Sequence, residues 1–205
     1  MPVDFTETRI PYLRDEQIRR RADDFRTQYW GNKIPVDVEL IAERAFNLLI
    51  IPVPDLERQT DAEAFLSGDL RELLYDQDSP EVRVRFSIAH EIGHIVLHKD
   101  VLAKLRPSSV DEWRELQRTM PDATWGRAEY QAREFAGRLL VPVNKLIEAL
   151  RNLQPQIAKA MEISPDLELP VLRDLVSPKI AKMFFVSDEV IKRRLELEGI
   201  SPMQQ

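Results

Sequence analysis

The chain has 205 residues, 43% hydrophobic and 31% charged, which is the balance of a globular protein with a substantial core rather than of a disordered chain. Its net charge of −6 does not favour non-specific attachment to DNA or to acidic membranes. It has no cysteine, which excludes disulfides, thiol catalysis, iron–sulfur clusters and cysteine-ligated zinc, and no apolar run approaches the roughly 20 residues needed to span a bilayer.

In chain order, Arg14 to Trp30 is an expected helix, with Ile18, Ala22, Phe25 and Tyr29 on one face and Gly31-Asn32 as its stop. A second amphipathic helix follows Pro35, turning Val38, Ile41, Ala42 and Ala45 inward. Leu49 to Val53 has the look of a short buried strand, and 63–76 that of a hairpin turning at Ser67-Gly68-Asp69. Ser79-Pro80 opens a long, largely buried helix to about His98, with the serine as N-cap and the proline at the first helical position. Loops over 100–111 and 119–124 bracket a short helix, and a further helix runs from about Gly126 to Leu140, stopped by Pro142. The remainder should form short helices separated by Pro155, Pro165, Pro170 and Pro178, the last from near Ser187 to Gly199. The expected fold is α+β and mainly helical around a small sheet. We divide it into 1–142 and a helical portion, 143–205, packed on the same domain.

The chemistry concentrates in FSIAHEIGHIVLH (86–98), where His90-Glu91-Ile92-Gly93-His94 is a complete H-E-x-x-H. With three histidines in the chain, chance supplies about 0.004 such matches, and this one falls inside an expected helix. Residues four apart on a helix share a face, so both imidazoles can hold one ion, for which Zn²⁺ is the natural choice. Glu91 lies beside the pair, where a carboxylate can take a proton from water on the metal and return it to a leaving amine. His98 continues the spacing but lies about 12 Å along the axis from His90, too far to share the ion. It reads as a helix-end histidine favoured by the dipole.

A hydrolytic zinc site takes a third protein ligand. In GRAEYQAREFAGRLLVP (126–142), Ala132, Phe135, Ala136, Leu139 and Leu140 define a buried stripe, and Glu129 lies on it. An acid on a buried face is costly without a cation, so Glu129 is the expected third ligand, against the plainer reading of a salt bridge to Arg133. Glu134 falls about 100° or more from the stripe's centre, among Arg127, Gln131 and Arg138, and reads as a solvated charge.

RVRFSIAHEIGHIVLH (83–98) followed by AEYQAREFAGRLLVP (128–142) closely resembles the ImmA/IrrE family of metallo-endopeptidases. PYLRDEQIRRRADDFR, IPVDVELIAE, EAFLSGDL and MFFVSDEVIKRRLELEGI resemble its small stand-alone members, so the likeness covers nearly the whole chain. It implies a gluzincin-like zinc peptidase fold with His90, His94 and Glu129 on the metal and Glu91 as general base. Arg133 stands where that family usually has Asn, which bears on turnover or substrate choice. The resemblance further implies a protein substrate, a helix-turn-helix repressor encoded nearby in a mobile element or stress response. The expected location is the cytoplasm, with no membrane and no direct nucleic-acid partner.

Tyr75, Tyr130 and His98 are candidates for stabilising the oxyanion, and the hairpin could pair with an extended substrate or simply cover the core. Two other functions compete. The chain could hold metal and bind a partner without turnover, as in a toxin–antitoxin or phage regulatory pair. Alternatively, SPKIAKMFFVSDEVIKRRLELEGI (177–200) has the cadence of a helix-turn-helix. Asp188 and Glu189 then sit where phosphates would lie, which argues against DNA binding.

Overall fold

The computed structural model describes residues 10–105 and 110–204. Helix α1 (Asp15–Tyr29) buries Ile18, Ala22 and Phe25, and Gly31 turns the chain away at φ +87°. Helix α2 (Val38–Phe46) is capped by Asp37, whose side chain accepts from the Leu40 amide at 3.0 Å. Strand β1 (Leu49–Val53), a short helix α3 (Leu56–Thr60), β2 (Ala64–Leu66) and β3 (Glu72–Asp76) follow. Nothing in the sequence pattern had pointed to α3.

The strands form a three-stranded sheet in the order β1-β3-β2. β3 pairs parallel with β1, Leu49 opposite Glu72 and Val53 opposite Asp76, and antiparallel with β2, Ala64 opposite Tyr75. The β2–β3 pair is the expected hairpin. Ser67 ties its turn, donating to Asp69 and accepting from the Glu72 amide at 2.9 Å. The left-handed position there is taken by Leu70, at φ +57°.

Helix α4 (Glu81–Leu105) begins one residue later than the Ser-Pro signal implies. The Pro80 carbonyl, not that of Ser79, accepts the first helical amides, from Arg83 and Val84, and the Ser79 hydroxyl is buried without a partner among the described residues. The serine therefore does not cap. His98 is a break within α4 (φ −127°, ψ 18°) rather than its end, because the helix resumes to Leu105. Part of the loop expected over 100–111 is thus helical, and 106–109 lie outside the described residues. Helices α5 (Val110–Thr119) and α6 (Asp122–Leu140) follow, α6 starting four residues before Gly126.

The prolines of the C-terminal third do less than expected. Helix α7 (Val143–Ile163) runs through Pro155 and α8 (Leu169–Phe184) through Pro178, while Pro170 lies in the first turn of α8. A proline inside a helix costs about 3 kcal/mol. In α7 the buried stripe of Leu146, Ala149, Leu150, Leu153 and Ile157 continues across it, and burying such a side chain contributes roughly 1.5–3 kcal/mol. Tertiary burial therefore outweighs the local penalty. Helix α9 (Asp188–Leu197) is capped by the Ser187 side chain and ends before Gly199, at φ +62°.

Helix α4 packs along α6, and α1 lies on α6 as well. One hydrophobic core joins Ile88 and Ile92 of α4 and Phe135 of α6 to Leu150, Phe184 and Ile191, so residues on both sides of Pro142 share it. No helix among the described residues is long and apolar enough to cross a membrane.

Candidate metal centre

Helix α4 carries His90, Glu91 and His94, and Glu129 reaches them from α6. The His90 and His94 Nε2 atoms are 3.0 Å apart. Glu129 places Oε2 at 3.2 Å from His90 Nε2 and Oε1 at 3.2 Å from His94 Nε2. One ligand atom from each of the three side chains lies within 4.8 Å of the others. The expected alternative, a Glu129–Arg133 salt bridge, is not formed, because the carboxylate is turned to the histidines.

Gly93 is what lets α6 come this close. A Cβ at Gly93 would stand 2.9 Å from the Ala132 carbonyl oxygen and 3.2 Å from the Phe135 ring. Glycine in a helix interior costs about 1 kcal/mol relative to alanine, and here it admits backbone-level contact one turn from Glu129. The motif treats this position as free. The signal available in the sequence was a glycine, one of only six, in the middle of a buried helix.

Behind the centre, a hydrogen-bonded chain orients His94. Its Nδ1 lies 3.1 Å from His98 Nδ1, His98 Nε2 lies 2.9 Å from Gln131 Oε1, and Gln131 Nε2 donates to the Pro11 carbonyl at 2.8 Å. With Gln131 donating through nitrogen, its Oε1 accepts from His98 Nε2–H. His98 Nδ1 then accepts from His94 Nδ1–H, so the neutral form of His94 turns the lone pair of Nε2 toward Glu129 and His90, whereas the protonated form donates from Nε2 to Glu129. Such a second layer is how proteins set a ligating histidine's tautomer. His98 is therefore no dipole-stabilised surface cation. It is 3% exposed, and burial together with neighbouring His94 pushes its pKa down to about 4. Gln131, expected on the solvated side of α6, is buried too.

Burial acts against the charge on Glu129, but hydrogen bonds from His90 and His94 outweigh it and hold the carboxyl well below the usual range. Burial pulls His94 down, and the hydrogen bond to Glu129 with the Glu91 and Glu129 charges raises it overall. Glu91 is buried and its pKa is raised, chiefly by desolvation. Among the described residues no hydrogen bond or ion pair engages it. Desolvation makes a buried carboxylate without a hydrogen bond more basic than an exposed one, as a proton acceptor requires.

These groups face a cavity of about 660 Å³, bounded by Glu63 and Ala64 at β2, by Trp125 and Arg133 of α6 and by Ser187 and Val190 at the start of α9. None of the three oxyanion candidates lines it. Tyr130 donates to Asp15 of α1 at 3.0 Å, and burial with that bond raises its pKa to about 12. Tyr75 lies within β3, and His98 stands behind His94.

The helix-turn-helix reading fares poorly at α9. Lys192 pairs with Asp174 at 2.6 Å, Arg193 with Glu134 at 3.0 Å, and Arg194 is buried against Glu198 at 2.6 Å. Its three cations are all engaged within the chain, and the exposed first turn is acidic.

No curated protein sequence matches the chain. Among solved structures, a Mycobacterium tuberculosis transcriptional regulator is similar in fold, with a TM-score of 0.54 and 16% identity over 90% of this chain. The match covers 47% of the regulator, so this chain spans about half its length. The sequence profile of the IrrE N-terminal-like domain, a metallopeptidase family, matches residues 44–196, which include the two helices that build the centre, and the chain belongs to the ImmA/IrrE family.

Proposed function

We propose that the protein is a zinc-dependent endopeptidase with a gluzincin-like arrangement, in which His90, His94 and Glu129 hold the ion and Glu91 is the general base. The observation that carries this reading is the convergence of two imidazole Nε2 atoms and a carboxylate in one cavity, beside a second buried carboxylate that makes no hydrogen bond or ion pair among the described residues. The donor set fits zinc, because two nitrogens and one oxygen leave a position open for water or substrate. The chain from Pro11 through Gln131 and His98 also leaves His94 Nε2 free to bind.

Held there, zinc supplies Lewis acidity toward a peptide carbonyl and toward water. Glu91 accepts the proton of the attacking water and returns it to the departing amine, and its raised pKa suits both transfers. The outer edge of β2, at the cavity wall, supports antiparallel pairing with an extended substrate segment. Family membership favours a helix-turn-helix repressor as substrate, acted on in the cytoplasm.

Metal content by mass spectrometry on protein purified without added metal should give about one zinc per chain. Glu91→Gln should keep that zinc and cut the rate of cleavage of a neighbouring repressor by about 10²–10⁴-fold. Undiminished cleavage by this variant would remove Glu91 from the mechanism. A wild type that takes up no zinc even when it is supplied would remove the reading itself.

A further inference from the structure

Two arginines line the cavity, and their situations differ. Arg83 is paired with Glu57 at 3.8 Å and with Glu63 at 3.4 Å. Arg133 is exposed at the cavity wall, and among the described residues no hydrogen bond or ion pair engages its guanidinium. Its nearest acid along the helix, Glu129, is committed to the histidines. The remaining charged groups on the wall are acids: Asp61 and Glu63 near β2, and Glu91 on α4. Arg133 is thus the one cation of the described lining left to meet a charge brought in from outside.

Its backbone position relative to Glu129 is set by the helix. Arg133 follows Glu129 by four residues, so it lies about 6 Å further along the α6 axis. An extended peptide advances about 3.3 Å per residue, so for a substrate lying along α6 this rise corresponds to roughly two residues from the bond at the centre. A guanidinium offers a rigid fork of donors that matches a carboxylate in two parallel hydrogen bonds.

We infer that Arg133 is a specificity-determining residue, forming a subsite for an acidic side chain, Asp or Glu, about two residues from the scissile bond. The inference rests on the peptidase reading above and narrows its substrate class to peptides carrying an acid near the cut. It also gives the departure from Asn at this position a role: an amide could contact backbone but could not select by charge.

The test uses zinc-loaded full-length protein and short peptide hydroxamates, which anchor on the metal whether or not turnover occurs. The peptides carry Asp, Ala or Lys at the second residue from the hydroxamate. Wild type should bind the Asp peptide about tenfold more tightly than the Ala peptide and the Lys peptide most weakly. Arg133→Gln should level the three affinities with zinc content unchanged, and Arg133→Glu should invert the order. Zinc-loaded wild type that binds all three alike, or an Arg133→Glu variant that keeps the wild-type order, would overturn the subsite and leave the peptidase reading standing. Failure to load zinc overturns both, and the metal measurement tells the two failures apart.

Discussion

Glu129 and Glu134 lie five residues apart on α6 and have opposite fates. Glu129 opens to the cavity and is held by two histidines. Glu134, whose side chain is 2% exposed, accepts from Arg193 of α9 at 3.0 Å and lies 3.7 Å from Arg138. Arg138 in turn bonds Glu198 at 2.6 Å, and Glu198 also holds Arg194 and Arg19 of α1. Five residues on a helix are about 140° of rotation, so one acid faces α4 and the other faces α9. The sequence reading of Glu134 as a solvated charge is therefore incorrect. It assumed one buried stripe on α6, whereas the helix is covered on more than one side.

The contrast teaches how burial of a carboxylate is offset. At the centre two imidazoles and an open cavity do so, which leaves room for an ion. In the cluster, arginines do so, which leaves a fixed joint between α1, α6 and α9. The cluster is not fully satisfied: Arg138 Nε, Arg194 Nε and Nη1, and Glu134 Oε2 are buried without a hydrogen bond among the described residues. Such an arrangement is costly to break from one side, because the surviving partner keeps an uncompensated charge.

The largest effect should separate the two acids. Glu134→Ala is expected to destabilise the fold by about 3–5 kcal/mol, the usual loss for one member of a buried pair, while its zinc content, where folded, stays near one per chain. Glu129→Ala should do the reverse, losing zinc with the fold retained. Denaturant unfolding and metal analysis on both variants measure this, and zinc lost with Glu134 but kept with Glu129 would invert the assignment.

A smaller effect is expected from two glycines, one in each region. In Gly93→Ala the new methyl meets the Ala132 backbone at 2.9 Å, whereas in Gly137→Ala it meets only the Arg194 side chain, at 3.1 Å. Overpacking of the first kind costs about 1–3 kcal/mol, and because α6 must shift, Gly93→Ala should also weaken zinc binding. Gly137→Ala should cost less and leave the metal alone. Equal zinc affinity in wild type and Gly93→Ala would show that the close approach of α4 and α6 does not set the position of Glu129.

The smallest effect tests an acid away from both regions. Asp76, at the end of β3, accepts from the Glu57 amide at 2.6 Å and the Asp78 amide at 2.7 Å. These bonds, that from Glu57 first, lower its pKa from the ordinary 3.8. A depressed folded pKa stabilises fully above the unfolded value, and that stabilisation is lost as pH falls through the folded one. Asp76→Asn should therefore be slightly less stable than wild type at neutral pH, with the gap closing below about pH 4. Urea unfolding at both pH values checks it; a gap that persists in acid would assign the effect to packing rather than charge.

Much of the centre is legible in the amino-acid sequence. The His90–His94 spacing needs only helical geometry, and Glu129 follows from its place on an apolar stripe, because both are properties of one or two helices. The Ser187 cap and the Gly199 stop are local in the same way. The expected Ser79 cap does not form because Pro80 and Ser79 compete for one position, and a single register step decides which carbonyl accepts the first amides. Arg133 stands out in the sequence as a departure, but its lack of a hydrogen bond or ion pair among the described residues depends on where Glu129 turns.

The sequence by itself thus determined which side chains can meet on one helix face, and with them the H-E-x-x-H pair, the glutamate beside it and the inward-facing Glu129. Tertiary structure alone decided which faces of α6 are covered, and so whether Glu134 and Gln131 are buried. It also decided that His98 would be a neutral strut behind His94, and that α7 and α8 would run through their prolines. The physical reason is range. Periodicity reports a helix's own geometry within a few turns, whereas the solvation of a given face depends on a helix that returns about sixty residues later, as α9 does to bring Arg193 against Glu134.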